Sequence, residues 1–266
     1  MRKEDLTLDQ QWIVAGRLAE DRLPSLNAAL DDVRPADGLY VRYGKRVLDV
    51  AFALVGCVVT LPVNLVLGVI TFFDVGRPIF FKQTRIGKNE KPFTLVKFRN
   101  MRNIYDERGE LLNASERISE FGKFVRKTSL DELLNFWSVL KGDMSLIGPR
   151  PLVAGYTPLY HKRHKGRLLV RPGLECPPRD LTGQPRTWQE RLDNDVWYVE
   201  HVSFKTDCKM LVNLFRFALD SKNAAARADA EEDGTFLGYT ADGVAVTLSG
   251  VPQEYVDVCA EEHGWQ

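Results

Sequence analysis

The sequence predicts a mainly α protein with a small β-hairpin, built on a re-entrant membrane helix-break-helix with amphipathic interfacial helices beside it. Three observations carry this. Residues 47–73 are nearly all apolar, Asp49, Thr60 and Asn64 being the main exceptions, with Pro62 near the middle and basic residues on both flanks. Residues 79–85 and 93–99 read as strands around the turn Gly87-Lys88-Asn89-Glu90. Later segments, above all residues 133–140 and 205–219, are apolar along one helical face.

At 266 residues and 44% hydrophobic content, the chain can bury one large core or two small ones. Basic and acidic residues number 36 each, yet the balance is uneven. Residues 221–266 hold nine acids against Lys222 and Arg227, so the preceding chain carries a surplus of seven positive charges. A basic body suits a phosphate-rich ligand or an anionic membrane surface, the plain alternative being a solvated face. Nucleic acid is not an expected partner. Cys57, Cys176, Cys208 and Cys259 form no CxxC pair and have no zinc-like spacing with histidine, so a reducing, cytosol-facing environment fits. Cys57, inside the apolar run, reads as a buried structural thiol. Residues 1–35 are polar and read as carrying no secretory signal.

Three regions are expected: a polar helical arm at 1–41, a membrane-associated domain at 42–220 and an acidic extension at 221–266. In the arm, Leu8, Trp12, Ala15 and Ala19 recur at helical spacing, and Leu23-Pro24-Ser25 should separate this helix from a second polar piece. As a straight helix the apolar run would extend about 40 Å, more than the ~30 Å hydrocarbon core. Pro62 has no N–H and crowds the preceding turn, so the helix should break there into pieces of roughly 22 and 18 Å, neither of which crosses a bilayer. Arg42, Lys45 and Arg46 precede the run, and Arg77, Lys82, Arg85, Lys88 and Lys91 follow it. The positive-inside bias then favours a hairpin with both ends on one side. A tilted single span and a buried soluble helix are the alternatives. Thr60 and Asn64 would need local hydrogen-bond partners in lipid.

The hairpin that follows carries Lys82, Arg85, Lys97 and Arg99. Singly these are solvated strand residues, but as a set beside a membrane segment they suit a diphosphate, because guanidinium groups match phosphate oxygens in pairs. Residues 105–120 read as a loop leading to a short helix near 115–125. Further on, Pro149 and Pro151 stiffen the loop around Arg150. The run His161-Lys162-Arg163-His164-Lys165-Gly166-Arg167 reads as solvated or touching headgroups rather than as a metal site. Residues 188–201 are helical, with Trp197 and Tyr198 suited to an interface or a core.

Between these lies Arg126-Lys127-Thr128-Ser129-Leu130-Asp131-Glu132-Leu133-Leu134. Ser129 with Glu132 three residues later forms a capping-box pattern, which by itself accounts for acids in a first helical turn. The same helix start would favour an ionised Asp131, ready as a nucleophile.

Taken in order, the motifs resemble the small monotopic phosphoglycosyl transferases, the bacterial initiating sugar transferases. They are Lys45-Arg46-Val47-Leu48-Asp49, the stretch from Gly76 through Gln83 and Arg85 to Gly87, Lys97-Phe98-Arg99-Asn100-Met101, residues 126–133, residues 146–151, Arg171-Pro172-Gly173 and Asp195-Val196-Trp197-Tyr198-Val199. The resemblance implies a non-spanning membrane helix at the bacterial inner membrane and a cytosol-facing active site. It also implies transfer of a sugar 1-phosphate from a nucleotide diphosphate sugar, UDP-sugars first, to polyprenyl phosphate. Carried over, Asp131 would be the nucleophile that forms a phosphosugar-aspartyl intermediate. Glu132, with Asp131, would hold Mg2+, and Arg126 would bind phosphate. Arg85, Lys97, Arg99, Arg150 and Arg171 are the further phosphate-binding candidates. A carboxylate attacking an anion needs such cations to neutralise charge on the phosphoryl oxygens.

Two positions depart from the family pattern. Leu61 precedes Pro62 where a serine is usual, and Leu174-Glu175-Cys176-Pro177-Pro178 stands where a Thr/Ser-Gly and a glutamine-containing segment are usual. A catalytically silent membrane-surface scaffold and a single-span anchor or sensor are the competing readings. Nucleotide sugar, polyprenyl phosphate and membrane lipids are the expected partners, with a homo-oligomer left open.

Overall fold

The apolar run forms the middle of one continuous helix in the computed structural model, which describes residues 1–107, 109, 111–179, 187–219 and 234–265. This helix, α2, is Lys45–Val75, and a π-helical turn at Tyr40–Gly44 leads into it without interruption. The break expected at Pro62 is absent. A proline inside a helix removes one backbone bond, that to the carbonyl of Val58, and the helix continues on both sides of it. Thr60 Oγ1 donates to the Gly56 carbonyl at 2.7 Å, and Asn64 Nδ2 donates to Thr60 Oγ1 at 3.3 Å.

Only Asp49, Ala53, Leu67 and Thr71 of α2 are buried, and they lie on one face. Phe52, Val55, Val59, Leu65, Val66 and Phe73 are among its many exposed apolar side chains. Cys57, expected to be buried, is only half-buried. The buried face meets the body along its whole length. Near the start, Arg46 donates to the carbonyls of Val139 and Leu140 at 2.7 and 2.9 Å, and Asp49 Oδ1 accepts from the Leu146 N–H at 3.1 Å. In the middle, a side chain at Gly56 would come within 2.8 Å of the Phe136 ring, so the close approach there requires glycine. At the far end, Arg99 donates to the carbonyls of Val75 and Gly76, satisfying the last turn.

The expected hairpin forms. Strands β1 (Phe80–Ile86) and β2 (Pro92–Phe98) pair antiparallel, from Phe80 opposite Phe98 to Ile86 opposite Pro92. The single helix expected near residues 115–125 is two, a short turn at Ala114–Arg117 and α3 (Glu120–Thr128). After α3 come a 3-10 turn, Leu130–Glu132, and helix α4 (Asn135–Lys141). A two-strand parallel pair, β3 (Ser145–Ile147) with β4 (Gly173–Glu175), follows. Helices α5 (Trp188–His201) and α6 (Phe204–Leu219) match the expected segments.

The first helix, α1 (Leu8–Ala29), runs through Pro24 rather than ending there. The carbonyl that loses its partner belongs to Glu20, which lies on the exposed face of the helix, where water can replace it. Its start is a capping box between Thr7 and Gln10. The acidic segment 220–233 lies outside the described residues. Beyond it, β5 (Gly238–Tyr239) pairs with β6 (Ala245–Val246), and α7 (Gln253–His263) ends the fold. These elements share one apolar core with α1, formed by Val14, Ala15, Leu18, Phe236, Leu237 and Val256 among others.

The run at 161–167, expected to be solvated, is partly interior. His161, His164 and Arg167 are 3, 1 and 2% exposed. His164 lies 2.8 Å from the Tyr239 hydroxyl and 3.0 Å from Asp193, and Arg167 pairs with Asp195.

Where β3 and β4 meet, a Cβ on Gly173 would stand 2.1 Å from the Gly148 nitrogen. Gly173→Ala must therefore push the two backbones apart. We expect it to lower unfolding stability by about 2 kcal/mol or more, measured by chemical denaturation in detergent.

Candidate active site

The site begins where α3 stops. Ser129 adopts a left-handed conformation (φ 55°, ψ 24°) and closes α3, its N–H bonding to the Arg126 carbonyl at 3.1 Å. An N-cap side chain works from an extended backbone, so the capping box expected between Ser129 and Glu132 does not form, and the Ser129 hydroxyl caps nothing. The turn instead drives Asp131 inward, leaving it 3% exposed, while Glu132 stays half-buried.

Asp131 meets the end of β2. Its Oδ2 accepts a 3.3 Å hydrogen bond from the Asn100 amide and lies 3.9 Å from Lys97 Nζ. Lys97 also rides over the Phe81 ring at 5.8 Å. Burial pushes the Asp131 pKa up; Lys97 pulls it down, Glu132 adds to the rise, and Arg126 opposes it more weakly. The expected helix-terminus effect is therefore not what governs this carboxyl. Desolvation outweighs it because the group sits inside the protein and not on an exposed first turn.

Glu132 faces the proline-stiffened loop. Arg150 donates from Nη2 to Glu132 Oε1 and from Nη1 to the Leu174 carbonyl at 3.3 Å, with Glu175 Oε2 3.6 Å away. Burial opposes the charge on Arg150, but Glu132 and Glu175 outweigh it and raise its pKa. The Arg150 carbonyl accepts from Arg167 Nη2 at 2.7 Å, and Arg167 donates from Nε and Nη2 to Asp195 Oδ2 at 3.0 and 2.8 Å. Arg150 is thus fixed from both its ends.

Arg85 reaches the same place from β1. It donates to Gln83 Oε1 at 2.6 Å and to the Pro151 carbonyl at 3.4 Å, while its buried Nε has no partner among the described residues. Burial lowers its pKa, and the neighbouring positive charge of Arg150 lowers it further. Arg191 of α5 joins this group and was not anticipated from the sequence. Its position four residues before Asp195, on the same helical face, was the available signal. Its guanidinium lies 5.2 Å over the Trp188 ring, and its pKa is lowered by burial against the pull of Asp195 and Glu175.

The structure thus gathers Asp131, Glu132, Lys97, Arg126, Arg150, Arg85 and Arg191. It takes Arg99 to the end of α2, and it ties Arg171 Nε to the Gly142 carbonyl at 2.9 Å. Pro62 is within the exposed part of α2. Beside α2 lies an open apolar groove of about 1060 Å³, walled by Leu65, Val69, Phe73, Ile79, Phe80 and Leu134.

Among the described residues no group of three or more His, Cys, Asp or Glu could hold a metal ion. Asp131 and Glu132, next to each other in the chain, supply two carboxylates here, and Mg2+ binds through one or two carboxylates, completing its shell with water and substrate phosphates. Chemically, the arrangement offers a buried carboxylate and several guanidinium groups, a combination suited to binding and attacking a phosphoryl group.

The family model described as bacterial sugar transferase matches residues 40–221. The uncharacterized sugar transferase EpsL of Bacillus subtilis is 39% identical over 67% of this chain and 88% of its own length. A UDP-glucose:undecaprenyl-phosphate glucose-1-phosphate transferase of Caulobacter vibrioides is 30% identical over 71% of this chain and 75% of its own. A UDP-N-acetylgalactosamine-undecaprenyl-phosphate N-acetylgalactosaminephosphotransferase of Aeromonas hydrophila is 30% identical over 66% of this chain, which spans 43% of that longer protein.

The raised pKa of Asp131 has a stability consequence. Below the ordinary carboxyl value the group is neutral both folded and unfolded, and as pH rises through its folded pKa the buried carboxyl must ionise, so stability is lost. Asp131→Asn, neutral throughout, should therefore melt above the wild type at pH 7, the difference shrinking toward pH 4. Paired thermal melts at the two pH values measure it.

Proposed function

The chain belongs to the bacterial sugar transferase family, and from that premise we propose that it transfers a sugar 1-phosphate from a nucleotide diphosphate sugar, UDP-sugars first, to polyprenyl phosphate. This step begins assembly of a glycan or exopolysaccharide. The observation that carries the reading is the buried Asp131 held by Asn100 and Lys97 beside the Arg150–Glu132 contact.

In the first half-reaction an Asp131 carboxylate oxygen attacks the phosphorus that bears the sugar. The bond from that phosphorus to the nucleotide oxygen breaks, nucleoside monophosphate leaves with the bonding pair, and a phosphosugar-aspartyl anhydride forms. In the second, an oxygen of polyprenyl phosphate attacks the same phosphorus and displaces the Asp131 carboxylate, giving the polyprenyl diphosphate sugar. Lys97 offsets charge at the attacking carboxylate. Arg150, Arg85 and Arg126 bind phosphoryl oxygens, a role in which paired guanidinium donors are effective. Asn100 orients Asp131, and the burial that raises its pKa also strips water from the nucleophile. Glu132, with Asp131, would hold Mg2+, which when bound neutralises charge on the transferring phosphoryl group.

The packing of α2 supports a non-spanning placement at the bacterial inner membrane, with the site facing the cytosol. Contacts from Arg46 to Gly76 cover about 45 Å of helix, so a bilayer crossed by α2 would have to contain the body as well. The exposed face of α2 would lie in lipid, and the neighbouring groove offers apolar surface to the acceptor chain. Cysteines introduced at Arg42 and Lys88, beyond the two ends of α2, should both react with a membrane-impermeant thiol reagent from the cytosolic side only. Labelling on opposite sides would establish a single span instead.

Membranes carrying the protein, given candidate UDP-sugars and polyprenyl phosphate, should release UMP. Asp131→Asn should lower that release on the order of 10³-fold or more. Unimpaired release by this variant would remove Asp131 from the mechanism, and no release by the wild type with any nucleotide sugar would favour the silent scaffold.

A further inference from the structure

Of the chain ends that fall outside the family match, the described residues within 1–39 and 234–265 pack together on one side of the site. Their shared core also takes in Leu152, Leu159, Tyr160 and Leu192 of the matched region, so the ends are seated on the body and not merely attached to it. Two aromatic residues carry this contact onward. The Tyr156 ring lies 5.0 Å from Trp12, 5.5 Å from Trp188 and 6.1 Å from Phe236. Burial raises the pKa of its hydroxyl, and Arg191, Arg85, Thr235 and Phe236 all act to lower it. Trp188 donates from Nε1 to the Gly234 carbonyl at 3.0 Å.

Both rings border cations. Arg191 lies over Trp188, and the charges of Arg191 and Arg85 both act on the Tyr156 phenol. Arg191 also feels repulsion from Arg150 and Arg167. Among the described residues no group accepts a hydrogen bond from the Arg191 guanidinium, so its donors are available to a ligand. Several guanidinium groups brought together with one set of donors unused form a site for a multiply charged anion. The neighbouring rings add flat apolar surface of the kind on which a nucleobase can stack.

We propose that the two terminal segments form a donor-affinity module: through Tyr156 and Trp188 they hold Arg191 beside Arg85, where the pair binds the diphosphate of the nucleotide donor. The identification of the anion rests on the transfer reading above. The binding geometry does not, which allows the two to fail separately. In this arrangement Arg191 touches the ligand, whereas Thr235 and Phe236 are positioning residues.

The test measures equilibrium binding of UDP, with GDP and ADP alongside, to the detergent-solubilised full chain, together with UMP release. Arg191→Ala should weaken nucleoside diphosphate binding about 10-fold or more, with partial recovery in Arg191→Lys. The double variant Thr235→Val/Phe236→Leu should raise KM for the nucleotide sugar about 3- to 10-fold, leaving kcat within about 2-fold and the KM for polyprenyl phosphate unchanged. A merely structural role would instead lower the active fraction, reducing kcat with both KM values unmoved, and that result overturns the proposal. Unchanged diphosphate binding in Arg191→Ala, or no binding of any of the three diphosphates by the wild type, also overturns it. Arg191-dependent binding without UMP release would leave the module standing and remove the transfer reading.

Discussion

The contact between Glu132 and Arg150 joins the two halves of the site. On one side it fixes the 3-10 turn that carries Asp131, and on the other it fixes a loop stiffened by Pro149 and Pro151. Arg150 is in turn held through its carbonyl by Arg167, whose charge is matched by Asp195 on α5. Removing one member of a buried pair of this kind leaves an uncompensated charge in the interior, typically at a cost of 3–5 kcal/mol. The chain of contacts from Asp195 to Glu132 therefore serves stability and places the residue next to Asp131, the proposed nucleophile, at the same time.

The same economy governs α2. Arg46 and Arg99 complete helix ends, one satisfying the last carbonyls of α4 and the other those of α2. Around the start of α2, Asp207 accepts from Lys45 at 2.8 Å and from the Tyr198 hydroxyl at 2.6 Å. Asp49, 3.9 Å from Lys45, accepts from the strand β3 that precedes the proline loop. The residues that anchor α2 to the body thus also set the distance between its apolar face and the guanidinium groups of the site. An acceptor with an apolar chain and a charged head needs that pairing of environments within one molecule.

The terminal segments extend this logic beyond the region shared with relatives. Their core is apolar and separate from the carboxylates, yet the aromatic residues at its edge lie between it and the guanidinium cluster. A solvated arm and a solvated tail could have no influence there. Packed together, they can set the position of a cation without touching the reacting atoms.

The local elements were legible in the sequence because their signals are local. Alternation and a tight turn specified the β1–β2 hairpin, helical periodicity specified α5 and α6, and an apolar run of 27 residues specified α2. The proline rules misled at both Pro24 and Pro62, since one lost backbone bond is too small a penalty to end a long helix whose other bonds remain. The pairing of Ser129 with Glu132 misled for a related reason: a capping box needs an extended residue at its start, and only the packed chain showed Ser129 to be left-handed. The sequence could bring Asp131 to attention through its neighbours and the ordered motifs around it. Its burial, its contact with Asn100, the recruitment of Arg191 and the meeting of the two chain ends were decided by tertiary structure. They depend on groups separated by tens to hundreds of residues, where spacing along the chain carries no information about distance in space.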